Sequence, residues 1–195
     1  SARRQRKGTA VAFSLSLRLS LAGLIFGLCA VQADAAPQQP SETEPYVARG
    51  KSGLPLPRFV SLKSAKVNSR IGPGVTYAVD WRYLKSGLPM EIIQEFDNWR
   101  KVRDSDGAEG WINQALLSGR RTAMVTPWQK GKKKQVNLLE GPDARAATVA
   151  IIDPGVIGQI ETCDGEWCEM NFDGHTGWIA QSLLWGAYPG EAIKD

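Results

Sequence analysis

Residues able to do chemistry are few in this chain, and their spacing restricts what chemistry is open to it. The one histidine, His175, lies in the turn Asp173-Gly174-His175 with no His or Cys cluster at ligand spacing around it, whereas zinc asks for about four such ligands. It reads as a solvated turn residue, and the expectation is no metal and no cofactor. Carboxylates are numerous but scattered, and no nucleophile can be given a base, so nothing singles out an acid–base pair. The chain therefore reads as a binding protein, not an enzyme. Cys163 and Cys168 flank Asp164-Gly165-Glu166-Trp167, and a reversal there would put them on adjacent strands, near enough for a disulfide. An oxidising compartment would favour that bond.

Seven tryptophans are the other resource. Trp99, Trp111, Trp167 and Trp178 fall on recurring positions, which points to packing. Trp128 sits among lysines and is expected to cover a joint between domains. Trp81 is different, because Tyr77 and Tyr83 lie close by with Arg82 and Lys85 interleaved. Aromatic faces beside cations suit a sugar ring, a polyproline peptide or a carboxylate-bearing stem. Tyr77, Trp81, Arg82, Tyr83 and Lys85 are thus the expected ligand-binding surface.

The elements that must position these residues occur twice. From Glu91 to Arg103 apolar and polar residues alternate on both sides of Asp97-Asn98, as two half-buried strands of a hairpin require. A second turn at Ser105-Asp106-Gly107 leads into Gly110-Trp111-Ile112, completing a three-strand meander. About 67 residues later the pattern returns, ending in Gly177-Trp178-Ile179. Outer landmarks match in the same order: Val67-Asn68 with Val136-Asn137, Gly72-Pro73 with Gly141-Pro142, Leu116-Leu117 with Leu183-Leu184, Gly119 with Gly186. A tandem duplication is the reading that explains them together. Units of roughly 60 residues bury only about 60% of their unfolded surface, so docking of one repeat on the other, or a covalent staple, is expected.

Ahead of the repeats, Arg3, Arg4, Arg6 and Lys7 precede an apolar run that is uninterrupted from Leu19 to Val31, with small residues at Ala33 and Ala35. A bilayer span needs about 20 apolar residues, so residues 1–35 read as a cleaved signal peptide, the alternative being an uncleaved anchor from near Ala10. Removing that segment leaves equal numbers of basic and acidic residues, which argues against a nucleic-acid partner. Residues 36–57 read as a flexible Pro-rich leader, 58–126 as a basic first unit, 127–134 as a Lys-rich linker, 135–188 as an acidic second unit and 189–195 as a tail. Tyr46 to Lys134 holds 17 Lys or Arg against 7 Asp or Glu, and Gln135 to Asp195 holds 2 against 10.

Many short strands, frequent glycine turns and no helical period mean an all-β chain, at this size two small barrels. Val-Asn, Gly-Pro, Asp-Asn-Trp, Asp-Gly, Gly-Trp-Ile and Leu-Leu in that order resemble the bacterial SH3-like domain of exported cell-envelope proteins. The first copy, with Tyr77-Ala78-Val79-Asp80-Trp81 and Gly87-Leu88-Pro89, is the closer match; the second has no counterpart of Asp80-Trp81. The resemblance implies two tandem SH3-like β-barrels after the signal peptide, in a periplasmic module that holds peptidoglycan or its peptide stems. A scaffold for extended segments of another periplasmic protein is the alternative. Neither reading includes stable membrane insertion after processing.

Overall fold

The alternating runs become strands, and the turn residues between them become reversals. The structure, a computed structural model, describes residues 47–132 and 134–194; the expected signal peptide and most of the leader lie outside the described residues. Beyond short 3₁₀ turns the described chain is all-β. The first sheet comprises β1 (Arg58–Leu62), β2 (Val67–Arg70), β3 (Val79–Tyr83), β4 (Pro89–Phe96), β5 (Trp99–Arg103), β6 (Glu109–Asn113) and β7 (Leu117–Ser118). The second comprises β8 (Thr122–Val125), β9 (Val136–Leu139), β10 (Thr148–Ile152), β11 (Ile157–Asp164), β12 (Trp167–Phe172), β13 (His175–Ala180) and β14 (Leu184–Trp185), with β15 (Ala192–Ile193) added against β11. No helix of the described residues is long and apolar enough to cross a membrane.

The duplication holds at the level of backbone pairing. The first sheet runs β3-β2-β6-β5-β4-β1-β7 and the second β10-β9-β13-β12-β11-β8-β14, the same order strand for strand. Even the irregularity repeats: the register slips between Ile92 and Gln94 on β4 and between Ile160 and Thr162 on β11. Each unit closes on its own core, Leu62, Val67, Met90, Ile92, Val102 and Ile112 in the first, Val125, Leu138, Met170 and Ile179 in the second. These are two tandem SH3-like β domains, as expected.

Three boundaries differ from the sequence reading. Arg121 to Val125, within the expected first unit 58–126, reads in sequence as the strand that closes the first barrel, yet Thr122–Val125 pairs with β11 and β14 and opens the second. Consequently the junction is the three residues 119–121, and the Lys-rich stretch 127–134 is no linker but the connection between β8 and β9 inside the second barrel. The expected tail carries β15, whose Ile193 carbonyl accepts from Thr162 Oγ1 at 2.8 Å. Finally, residues 47–57 are ordered where a flexible leader was expected. Leu56 N donates to Ala48 O and Gly50 N to Leu54 O, and Ser52 donates through both N and Oγ to the Glu95 carboxylate on β4 at 2.8 Å.

The two barrels touch directly, meeting the need of such small units for further burial. The Phe59 ring meets Trp185 edge-on at a centroid distance of 5.1 Å and Tyr188 at 4.7 Å, while the Arg121 guanidinium lies 5.9 Å above it. Tyr188 OH donates to Glu91 Oε1 at 2.9 Å, and Thr122 Oγ1 donates to Gly87 O at 2.8 Å. Burial, and then that bond to Glu91, pushes the Tyr188 phenol well above its usual range, so it remains a neutral donor. Trp128, expected at this joint, is 52% exposed and belongs to the second barrel's own β8–β9 connection.

A staple is present as well. Cys163 and Cys168 are disulfide-bonded across β11 and β12, Cα to Cα 4.1 Å. In the first barrel the equivalent register partners are Glu95 and Arg100, a buried ion pair at 3.4 Å. One cross-strand position thus holds a covalent link in one copy and an ionic one in the other. Closing so short a loop is expected to stabilise by roughly 2 kcal/mol. Denatured, unreduced protein should show neither cysteine titrating with a thiol reagent, and two free thiols at these positions would contradict the pairing.

Candidate ligand-binding surfaces

The β2–β3 hairpin of the first barrel carries the expected aromatic cluster, and the strand geometry takes that cluster apart. β3 stands at one end of its sheet and pairs only with β2 among the described strands, and its first four residues are exposed. Trp81 faces the same side as its register partner Ser69, yet Ser69 is buried and the indole is 61% exposed. Tyr83, two residues on, returns to the core at 8% exposure and donates its hydroxyl to Asp104 Oδ2 at 3.0 Å. Burial first, and Asp104 second, push the Tyr83 phenol far upward. Tyr83 is therefore a core residue and leaves the expected ligand set.

Arg82 is also relocated. Successive strand residues face opposite sides, so Arg82 lies across the strand from Trp81, where its Nε donates to Asn68 Oδ1 at 2.9 Å. Tyr77 is half-exposed in the β2–β3 loop, and its ring occupies the space that a side chain on Gly72 would need. Lys85 is exposed beyond the end of β3. The structure thus keeps Tyr77 and Trp81 as accessible aromatics, and sets Arg82 and Lys85 beside β3 without bringing either over the Trp81 ring. His175, the first residue of β13, is exposed as expected.

The corrected junction also reduces the charge contrast. Residues 58–121 contain eleven Lys or Arg against seven Asp or Glu, and residues 122–195 six against ten. The basic and acidic halves are then +4 and −4, because the Lys-rich stretch belongs to the acidic barrel.

The second barrel has a groove that the sequence reading missed. It encloses about 400 Å³ between the β8–β9 connection, β9 and the 3₁₀ turn Gln181–Leu183, and is lined by Trp128, Trp167, Leu183, Thr126, Asn137 and Lys134 among others. The first barrel supplies Trp99 and Leu116 at the places of Trp167 and Leu183. What it lacks is the connection, four residues between β1 and β2 against ten between β8 and β9. That unequal spacing inside an otherwise regular repeat was the available signal. A wider cleft of about 760 Å³ beside Arg58, Arg100 and Arg121 is already served by the protein, since these guanidiniums bond to Glu95 or Glu191.

The family model for the bacterial SH3 domain matches this chain twice, over residues 63–119 and 132–186. The chain belongs to the bacterial SH3 domain family. The first match covers β2 to β7 and the second β9 to β14, one in each sheet, and bacterial SH3 domains are generally binding modules. No curated protein matches. Among solved structures, NlpC2 from Trichomonas vaginalis is similar at 15% identity and a TM-score of 0.29, covering 66% of this chain and 48% of that one. NlpC1 from the same organism is similar at 16% identity and a TM-score of 0.30, covering 70% and 48%. An NlpC/P60 family protein from Bacillus cereus ATCC 10987 is similar at 10% identity and a TM-score of 0.29, covering 66% and 56%. This bacterial SH3 protein therefore spans about half the length of the solved chains it matches. At such identity the likeness bears on neither activity nor partner.

Proposed function

We propose that this protein is a non-catalytic, periplasmic binding module that holds peptidoglycan or its peptide stems. The observation that carries the reading is Trp81, a large aromatic 61% exposed on an edge strand that pairs on one side only among the described strands. The second barrel has Ala150 at the same register position, since Trp81 pairs with Ser69 as Ala150 pairs with Leu138. The shared fold does not require an indole there, and an exposed one is available to stack on a ligand. Arg82, on the other face of β3, and Lys85, past its end, add positive charge to the hairpin for an anionic wall.

The test is retention on purified sacculi. Trp81→Ala is expected to weaken binding about five- to thirtyfold, the worth of a stacked aromatic at about 1 to 2 kcal/mol. The melting temperature should hold, because most of the indole is already in water. The pair Arg82→Glu, Lys85→Glu should weaken binding with the fold intact. Unchanged retention in both folded variants would remove this surface from the account.

A second reading has its own observation. The free edge of β3 presents backbone donors and acceptors that an extended segment of another periplasmic protein could pair with. Binding of that kind depends on strand pairing and apolar contact, and responds much less to ionic strength.

A further inference from the structure

Lys63, Lys85 and Arg120 are exposed, and among the described residues none of them is in a salt bridge. Arg58, Arg100, Arg103 and Arg121, by contrast, each hold a carboxylate. The fold brings the three free cations to one groove along the junction of the barrels. One end, about 300 Å³, is lined by Lys63, Arg120, Ser61 and Ser118 and by no Asp or Glu. The groove continues past Ser86 and Gly87 into a part of about 400 Å³, where Lys85, Gln159 and Asn171 line it with one carboxylate, Asp173. Its walls are held in place: Gly87 N donates to Leu62 O, and Thr122 Oγ1 to Gly87 O, both at 2.8 Å, which ties the turn carrying Lys85 and Ser86 to both barrels. The Arg120 guanidinium donates to the Gln159 amide oxygen, a bond that orients it without neutralising it. Ser61 shares the face of β1 that carries Phe59 toward the second barrel, and it stands opposite Ser118 in register.

The second copy shows that the fold does not require this charge. Gly155 N donates to Val125 O as Gly87 N does to Leu62 O, which puts Asp153 in the place of Lys85. Thr126 N donates to Leu183 O as Lys63 N does to Leu116 O. Ala187 follows the pair Met124–Trp185 as Arg120 follows Ser61–Ser118. All three cations are thus replaced, by aspartate, threonine and alanine. We propose that the junction groove is a site for the phosphate group of a small polar phosphate ester. A phosphate carries up to two charges and three strong acceptor oxygens pointing in different directions, which suits cations and hydroxyls arriving from separate segments better than a planar carboxylate does. The phosphate occupies the end lined by Lys63 and Arg120, and the polar remainder of the ester lies against Gln159 and Asn171. These volumes lie at the lower end of the usual range for small ligands. A soluble ester and a lipid headgroup both carry this chemistry, and the test separates them.

NMR titration of the protein with glycerol phosphate, with glycerol as the comparison at matched ionic strength, tests the site. Glycerol phosphate should shift the backbone amides of Lys63, Gly87, Ser118 and Arg120 saturably, and glycerol should not. Lys63→Gln and Arg120→Gln, both at exposed positions, should each lower the affinity about tenfold with the fold intact. Lys85 also belongs to the surface proposed for the wall and is left unchanged. Asp173→Asn should raise the affinity about twofold, because it removes the carboxylate of the lining and asparagine accepts the same left-handed backbone. Flotation with phosphatidylglycerol vesicles that Arg120→Gln abolishes would assign the phosphate to a lipid headgroup, and any other vesicle result assigns it to a soluble ester. No shift with glycerol phosphate, unchanged affinity in both Gln variants, or shifts that fall equally on Lys130 and Lys132 would overturn the proposal, whatever the vesicles do.

Discussion

Glu95→Ala is expected to lower the stability of the first barrel by about 3 to 5 kcal/mol, the usual cost of removing one partner of a buried ion pair. The carboxylate is nearly inaccessible and takes Arg58 at 2.6 Å, Arg100 at 3.4 Å, and both donors of Ser52. Its removal strands two guanidiniums and releases residues 47–57 from β4. Burial alone would raise the Glu95 pKa, but the bonds from Ser52 and Arg58, with Arg100 nearby, outweigh it and hold the carboxyl at about 2. The folded value lies below the ordinary 4.5, so the contribution is complete above that pH and is lost as pH falls toward 2. Denaturant titrations should show a wide gap between wild type and Glu95→Gln at pH 7 that narrows below pH 4. A gap of the same size at pH 2 would contradict this role.

Gly177→Ala should cost about 1 to 3 kcal/mol or more, and clearly more than Gly110→Ala, although the two glycines occupy the same place in their repeats. A Cβ on Gly177 would lie 2.7 Å from both the Leu139 carbonyl oxygen and Leu138 Cγ. Backbone of β9 cannot move aside without breaking the ladder. On Gly110 the same Cβ collides with the Ser69 hydroxyl, a small side chain that can rotate. Thermal melts of the two variants decide it, and equal losses would mean that β2 and β9 yield alike.

These glycines also show what was legible in the sequence. Gly-Trp-Ile marked both repeats because β6 and β13 pass close against β2 and β9, a constraint that leaves a residue-level trace. The Cys163–Cys168 link was legible for a similar reason, since a five-residue separation across one turn is local. Its ionic counterpart was not, because Glu95 and Arg100 share no residue type with two cysteines and only the common register reveals the match. The junction was missed because β8 follows β7 after three residues, while the lysines after Trp128 imitate a tether in composition. Order in residues 47–57 depends on Glu95, more than 35 residues away, and proline content gives no hint of such an anchor.

The site was less legible than the fold. Aromatic and basic residues around Trp81 looked like one surface in sequence, but the alternation of β3 sends Arg82 to the opposite side and Tyr83 into the core. Lys63, Lys85 and Arg120 gave no joint sequence signal, since residues so far apart in the chain share a groove only once both barrels have formed.

Binding to the wall is the central claim, and retention of the protein on purified sacculi across a salt series tests it most directly. Attachment of basic side chains to an anionic wall is screened over a Debye length of about 10 Å at 0.1 M ionic strength and about 3 Å at 1 M. The account predicts retention at low salt that falls progressively as ionic strength rises, with Trp81→Ala released earlier than wild type. A folded protein that stays in the supernatant at every salt concentration would contradict it.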